Sequence, residues 1–262
     1  MYSEEHKKFI RQKKITKFLV VSVQLLIIAL FIIIWQALAN KKLINTFIFS
    51  SPLNILNTII SLYKAGNLWG HIFITLYEIL LSFILCTIIG FLIAALLYNS
   101  DFLSRVLDPY LTVLNSLPKV ALGPIIIIWF GARMNSVIIM AVLTSLITTI
   151  IYTYQSFMNT PKIKIKLMKS FKASKTQIFI KLVIPNSYKS IISTLKINLS
   201  LSLIGVIMGE FLVSKKGIGY LITYGSQVFN LNLVMTGIFL LLIISAILYY
   251  IILYIEKSLL KN

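Results

Sequence analysis

The chain of 262 residues is 58% hydrophobic and 12% charged, with a mean hydropathy of +0.93, far more apolar than the roughly 45–50% of a soluble domain; an ordinary soluble fold is excluded, and a bilayer is the natural solvent. The formal charge of +18 would suggest nucleic acid in a soluble protein, but here the basic residues lie in short segments between apolar runs, where they act as orientation signals, so no nucleic-acid partner is expected. The sole cysteine, Cys86, lies inside an apolar run, and the only histidines are His6 and His71, which excludes an intrachain disulfide and a cysteine zinc cluster and argues against any metal site.

Residues 1–17 form a basic terminus carrying Lys7, Lys8, Arg11, Lys13, Lys14 and Lys17. The apolar run that follows, 18–39, ends in Ala37-Leu38-Ala39 like a secretory signal. Its 22 residues exceed the roughly 7–15 of a cleavable signal, so it reads as a retained first transmembrane helix. Residues 40–70 are too polar to cross. Within them Pro52, Ile55, Leu56, Ile59, Ile60, Leu62 and Tyr63 recur at three and four residues, the pattern of an amphipathic helix on the outer surface that stops at Ala65-Gly66-Asn67.

From 71 to 255 the sequence predicts a five-helix core, with spans near 72–98, 111–131, 136–158, 190–213 and 231–255, and a short tail at 256–262. The fold class is therefore an all-α membrane protein of about six transmembrane helices, since only helices satisfy the backbone of continuous apolar runs in lipid. Pro118, Gly123 and Pro124 interrupt the third span and predict a kink or break. Either the break lines a water-filled path, or proline is simply commoner in membrane helices; the residues alone leave both open. With six spans, eighteen basic residues fall on the side of the termini, Arg105 and Lys119 among them, and six on the other, with Lys196 inside the fifth span. That asymmetry places both termini in the cytoplasm.

No phosphate-cradling G-x-x-x-x-G-K-[ST], no G-x-S-x-G and no H-E-x-x-H occurs, so the chain is expected to be no enzyme and to bind no cofactor itself. The cytoplasmic loop 159–187 is the most informative segment. Ile163, Leu167, Met168, Phe171, Ile178 and Leu182 fall at helical spacing among lysines, predicting one apolar stripe. Such a stripe suits either the anionic inner leaflet or a groove on a cytoplasmic protein, and physics alone does not choose.

Resemblance does choose. Lys166 to Pro185, KLMKSFKASKTQIFIKLVIP, resembles the loop by which bacterial ABC importer permeases dock onto their ATPase subunits. Ala173, Ser174, Gln177, Phe179, Ile184 and Pro185 fit that pattern; Lys166-Leu167-Met168 replaces its E-A-A start and Lys172 its glycine, and lysine lacks glycine's access to left-handed backbone. Leu117-Pro118-Lys119-Val120-Ala121-Leu122-Gly123-Pro124 with Trp129-Phe130-Gly131 resembles the third-span signature of the branch that imports nitrate, sulfonates, taurine and thiamine precursors. Phe49-Ser50-Ser51-Pro52, Gly66-Asn67-Leu68, Gly209-Glu210 and Gly217-Ile218-Gly219-Tyr220 resemble its other segments. The resemblance implies the type I importer architecture and a multi-pass protein of the bacterial cell membrane. It further implies a second permease subunit, as in a homodimer, a pair of ATPase subunits holding ATP and magnesium, and an extracytoplasmic solute-binding protein.

Glu210, deep in the fifth span, is expected either to face a path or gate, together with Pro118, Gly123 and Pro124, or to be held by Lys215 or Lys216. Glu78 is expected to pair with a basic group on another helix. Gly90 with Ala94, and Gly205 with Gly209, mark close helix packing, within the chain or between two copies. The alternative function is an ion-coupled secondary transporter, which calls for paired acidic groups near the midplane and internal repeats.

Overall fold

The computed structural model describes residues 4–259; Lys261, counted above with the tail, lies outside them. Helix α1 (Glu4–Asn40) runs straight through the first apolar run. A short α2 (Thr46–Phe49) and α3 (Pro52–Lys64) follow, then the long α4 (Leu68–Asn99). The third span is α5 (Asp101–Ser116), a 3-10 turn over Lys119–Leu122, and α6 (Gly123–Phe130), bent by 89° at its break. Helix α7 (Met134–Met158) leads into α8 (Lys162–Ser170) and α9 (Lys175–Ile178), and a π-helical turn over Phe179–Val183 joins α9 to α10 (Ile184–Val213). The chain closes with α11 (Ile218–Gln227) and α12 (Leu231–Leu259). Among the described residues five helices are long and apolar enough to cross a membrane, and the bent pair, counted as one span, makes six.

The third span starts ten residues earlier than its hydropathy predicts, because α5 is amphipathic and carries Asp101, Arg105 and Asp108 on a helix that still enters the bundle. Kinking follows from chemistry: Pro118 lacks an N–H and its ring blocks the preceding turn, so the helix stops at Ser116 and restarts at Gly123.

Helices α4, α7 and α10 form the centre. Small residues bring their backbones together: a Cβ on Gly205 would stand 2.5 Å from Ala141 Cα, one on Gly209 2.8 Å from Val137 Cα, and one on Gly90 2.8 Å from Thr149 Cγ2. Both glycines of α10 and Gly90 of α4 thus pack on α7, within the chain, while Ala94 is buried beside Phe157. Polar side chains tie the same three helices together. Asn198 donates to Thr87 Oγ1 at 2.8 Å, Ser202 to Ser145 at 3.3 Å, and Ser145 to Cys86 Sγ at 2.8 Å.

Helix α3 lies across α12 and α1, burying Ile55. Its link to α1 is a hydrogen bond from Leu53 N to Gln36 Oε1 at 3.1 Å. Helix α1 otherwise stands apart, and its apolar window is wholly exposed to what would be lipid.

Candidate functional site

The loop between α7 and α10 folds as a helical elbow. Helix α8 ends in a paired-bond turn in which Ala173 N donates to Met168 O at 3.1 Å and Lys172 N to Lys169 O at 2.9 Å, with Lys172 at φ +54°. Lysine therefore adopts a left-handed conformation at the position where the docking loop it resembles carries glycine, at a cost of about 1–2 kcal/mol. Ser174 then caps α9 reciprocally: its hydroxyl accepts from Gln177 N at 3.2 Å, and Gln177 Oε1 accepts from Ser174 N at 2.8 Å. Beyond α9 the π turn accommodates Pro185, whose missing N–H and bulky ring disfavour ordinary α pairing just before it.

The expected single stripe is corrected here. Ile163, Leu167 and Phe171 are exposed, Phe171 at 75%, whereas Ile178 is only 5% and Phe179 8% exposed. Met168, Ala173 and Leu182 pack half-buried against the cluster that encloses Ile178 and Phe179. Helical phase holds only within one helix, and the turn at Lys172 resets it. Phe179 stacks on Tyr98 with centroids 5.3 Å apart and meets Phe157 edge-on at 5.2 Å, anchoring the elbow to α4 and α7. Lys166 lies on α8, level with the exposed row.

The break in the third span is set by α7. Ser104 pairs with Tyr154 at 2.6 Å, and Thr148 donates to Asn115 Oδ1 at 2.9 Å, so α5 climbs obliquely along α7. A Cβ on Gly123 would strike Leu212 and lie 3.6 Å from Met140 Cε, which explains glycine there; Pro124 opens α6 at its first turn, where its missing N–H is harmless. Lys119 sits between these two levels, inside the span rather than on the cytoplasmic side to which the charge count assigned it.

At the opposite end of the bundle, Glu210 is 1% exposed and turned into the protomer. Thr75 donates to its Oε1 at 2.6 Å, and Gly219 N to its Oε2 at 2.5 Å. Ile218 N donates to Thr75 at 2.9 Å. The first two N–H groups of α11, orphaned by helix geometry, are thus satisfied by Thr75 of α4 and Glu210 of α10. Gly217, at φ +113°, and Gly219 leave no room for a Cβ against this carboxylate. The expected partners Lys215 and Lys216 make no ion pair with it. Glu78 is likewise corrected: it makes no ion pair, the charged group beside it is Glu210, an acid rather than a base, and neither of its oxygens has a hydrogen-bond partner among the described residues. The one ion pair among the described residues is Lys196 with Glu256 at 2.6 Å.

Residues 86–261 match the family model described as "Binding-protein-dependent transport system inner membrane component". The chain belongs to this family. It is 32% identical, over 86% of its length and 91% of the relative's, to a Haemophilus influenzae protein named as an ABC transporter permease. It is 26% identical, over 90% of its length and 86% of the relative's, to the aliphatic sulfonates transport permease protein SsuC of Bacillus subtilis. Its fold is that of a chain of the MetNI methionine ABC transporter in an inward-facing conformation, with a TM-score of 0.63 and 18% identity, covering 74% of this chain and 95% of that one. The chain is therefore a multi-pass ABC importer permease, a transporter subunit rather than an enzyme, and membership implies an ATPase subunit and a solute-binding protein as partners.

The permease gathers its singled-out residues into three separate places: the elbow with Lys166 to Pro185, the break with Pro118, Gly123 and Pro124, and the sealed carboxylate of Glu210. Sequence reasoning named Phe179 in the docking loop but missed Phe91, Tyr98 and Phe157, the aromatic cluster of α4 and α7 that anchors it. It also missed Thr75, which bridges Glu210 and α11; a lone threonine in an apolar helix carries no sequence signal.

Proposed function

We propose that this permease moves a small solute of the sulfonate, taurine, nitrate or vitamin-precursor class through a path beside the broken third span, driven by a separate ATPase seated on the α8 elbow. ATP and magnesium belong to that partner, and a second copy of the chain completes the path in the cytoplasmic membrane. The observation that carries the reading is the exposed row Ile163, Leu167 and Phe171 on a helix studded with Lys162, Lys164, Lys166 and Lys169, held in place by buried aromatic packing. A cytoplasmic elbow that is rigid behind and apolar in front fits a protein groove. The solute class draws on the resemblance to the SsuC relative.

The ion-coupled alternative has less support. Glu78 and Glu210 do meet, but Glu210 lies three residues from the end of α10, and its oxygens are committed to capping α11.

Co-expression with the cognate ATPase tests the coupling. Ile163→Asp with Phe171→Asp is expected to abolish co-purification and solute-dependent ATP hydrolysis while leaving detergent-solubilised stability unchanged, because both side chains already face solvent. Undiminished co-purification and transport would mean that the contact lies elsewhere. A requirement for anionic lipid, with the ATPase still bound, would identify the row as a leaflet contact.

A further inference from the structure

We infer that Lys119, with Asn115 and Thr148, forms a water-accessible, anion-attracting station in the middle of the spanning layer. The inference rests on the reading of this chain as the translocating subunit, and it deepens that reading by assigning a charge preference to the path.

Depth is the first argument. Helix α7 has 25 residues and so spans about 37 Å. Thr148, which holds Asn115, lies about 21 Å from the Met134 end, and Met140, which abuts Gly123, about 9 Å from it. Lys119 falls between these levels, more than a turn from either end of α7. The conclusion is independent of which end faces the cytoplasm.

Charge is the second. A lysine at such depth is costly and characteristically marks a solute or ion pathway. Its arm is not extended toward a surface: Nζ folds back to donate to Asn115 O at 2.5 Å. An ammonium carries three N–H bonds, so donors remain, and among the described residues no carboxylate lies within ion-pairing distance. Asp108 is eleven residues away, about three helical turns, too far to neutralise it.

Continuity is the third. Asp108, Thr112, Asn115 and Ser116 recur at three and four residues on α5, and Lys119, on the turn beyond the break, joins them through its bond to Asn115, all of them at least partly exposed. At the far end of this row lies a cavity of about 240 Å³ in which Ser104, Asp108, Tyr154 and Gln155 share the lining with Leu97, Leu111, Ile151 and Met158. A polar row beside a broken helix is where freed backbone and side-chain groups meet water in transporters. A small solute anion, stripped of part of its hydration, would find at Lys119 the one cation of this row within the layer.

The test reads the local field directly. The assembled importer in nanodiscs carries Ser116→Cys, with Val120→Cys as a second reporter on the other side of Lys119; the native Cys86 is fully buried and gives little background. Each reporter is reacted, with and without ATP, with an anionic sulfonatoethyl and a cationic trimethylammonium-ethyl methanethiosulfonate. Rates are normalised to those of a free thiol. The anionic reagent is expected to be favoured about tenfold, the preference falling to near unity with Lys119→Gln and persisting with Lys119→Arg. Failure of both reporters to react with either reagent, or a preference unchanged by Lys119→Gln, would overturn the inference. Titration of the partner binding protein separately tests the solute class: a binding protein that takes only neutral or cationic solutes would defeat the proposed class, while the thiol rates would still decide the character of Lys119.

Discussion

Lys172 and Gly66 occupy the same position in two equivalent turns. At Gly66, φ +73°, Asn67 N donates to Leu62 O and Gly66 N to Tyr63 O, the same pairing that Ala173 and Lys172 make after α8. Lys172→Gly is therefore expected to raise the stability of the elbow by about 1 kcal/mol, visible as slower amide exchange over 162–178. The Glu210 cluster gives a contrasting pair. Glu210→Ala strips α11 of its capping acceptor and is expected to cost about 2 kcal/mol, whereas Glu78→Gln supplies the donor that Glu210 lacks on that side and should be neutral or stabilising. Thermal unfolding of the solubilised protein distinguishes the two. Sequence showed that Gly217 and Gly219 were special without showing why, because the group that excludes a Cβ there is a carboxylate from another helix.

Among the elements, α10 was the best read and the elbow the worst. The glycine spacing on α10 is legible because helical periodicity survives for its whole length, and both glycines do meet a neighbouring backbone. Gly205→Leu should therefore destabilise by at least about 2 kcal/mol and shift the solubilised protein toward aggregates on size-exclusion chromatography; a monodisperse, equally stable variant would show that α7 can yield. The elbow defeats the same method. Ile178 was assigned to the row of Phe171, yet Lys172 turns the chain between them and sends Ile178 inward. Ile178→Asp is consequently expected to unfold the elbow rather than merely release a partner.

For the whole molecule, hydropathy carried the span count because the bilayer imposes one length on every crossing element. The depth of the third span did not emerge in the same way. Its first two turns are charged, its middle is interrupted, and only its packing against α7 places Lys119 inside the layer. The orientation drawn from the basic residues predicts that a cysteine at Lys164 or Lys169 reacts with an impermeant thiol reagent in inverted vesicles and not in intact cells. Reaction from outside would invert the topology and remove the elbow from the reach of any ATPase.

The helical path from Lys175 to Val213 is unbroken over 39 residues, about 58 Å, and the π turn widens it without severing it. Such a shaft has no slack: a nudge delivered beneath Phe179 must reappear at Glu210 as tilt or twist. Gly205 and Gly209, pressed against α7, are its bearing. Displacement of the Lys175 end of this rod would therefore also pull on the cap of α11 at the other.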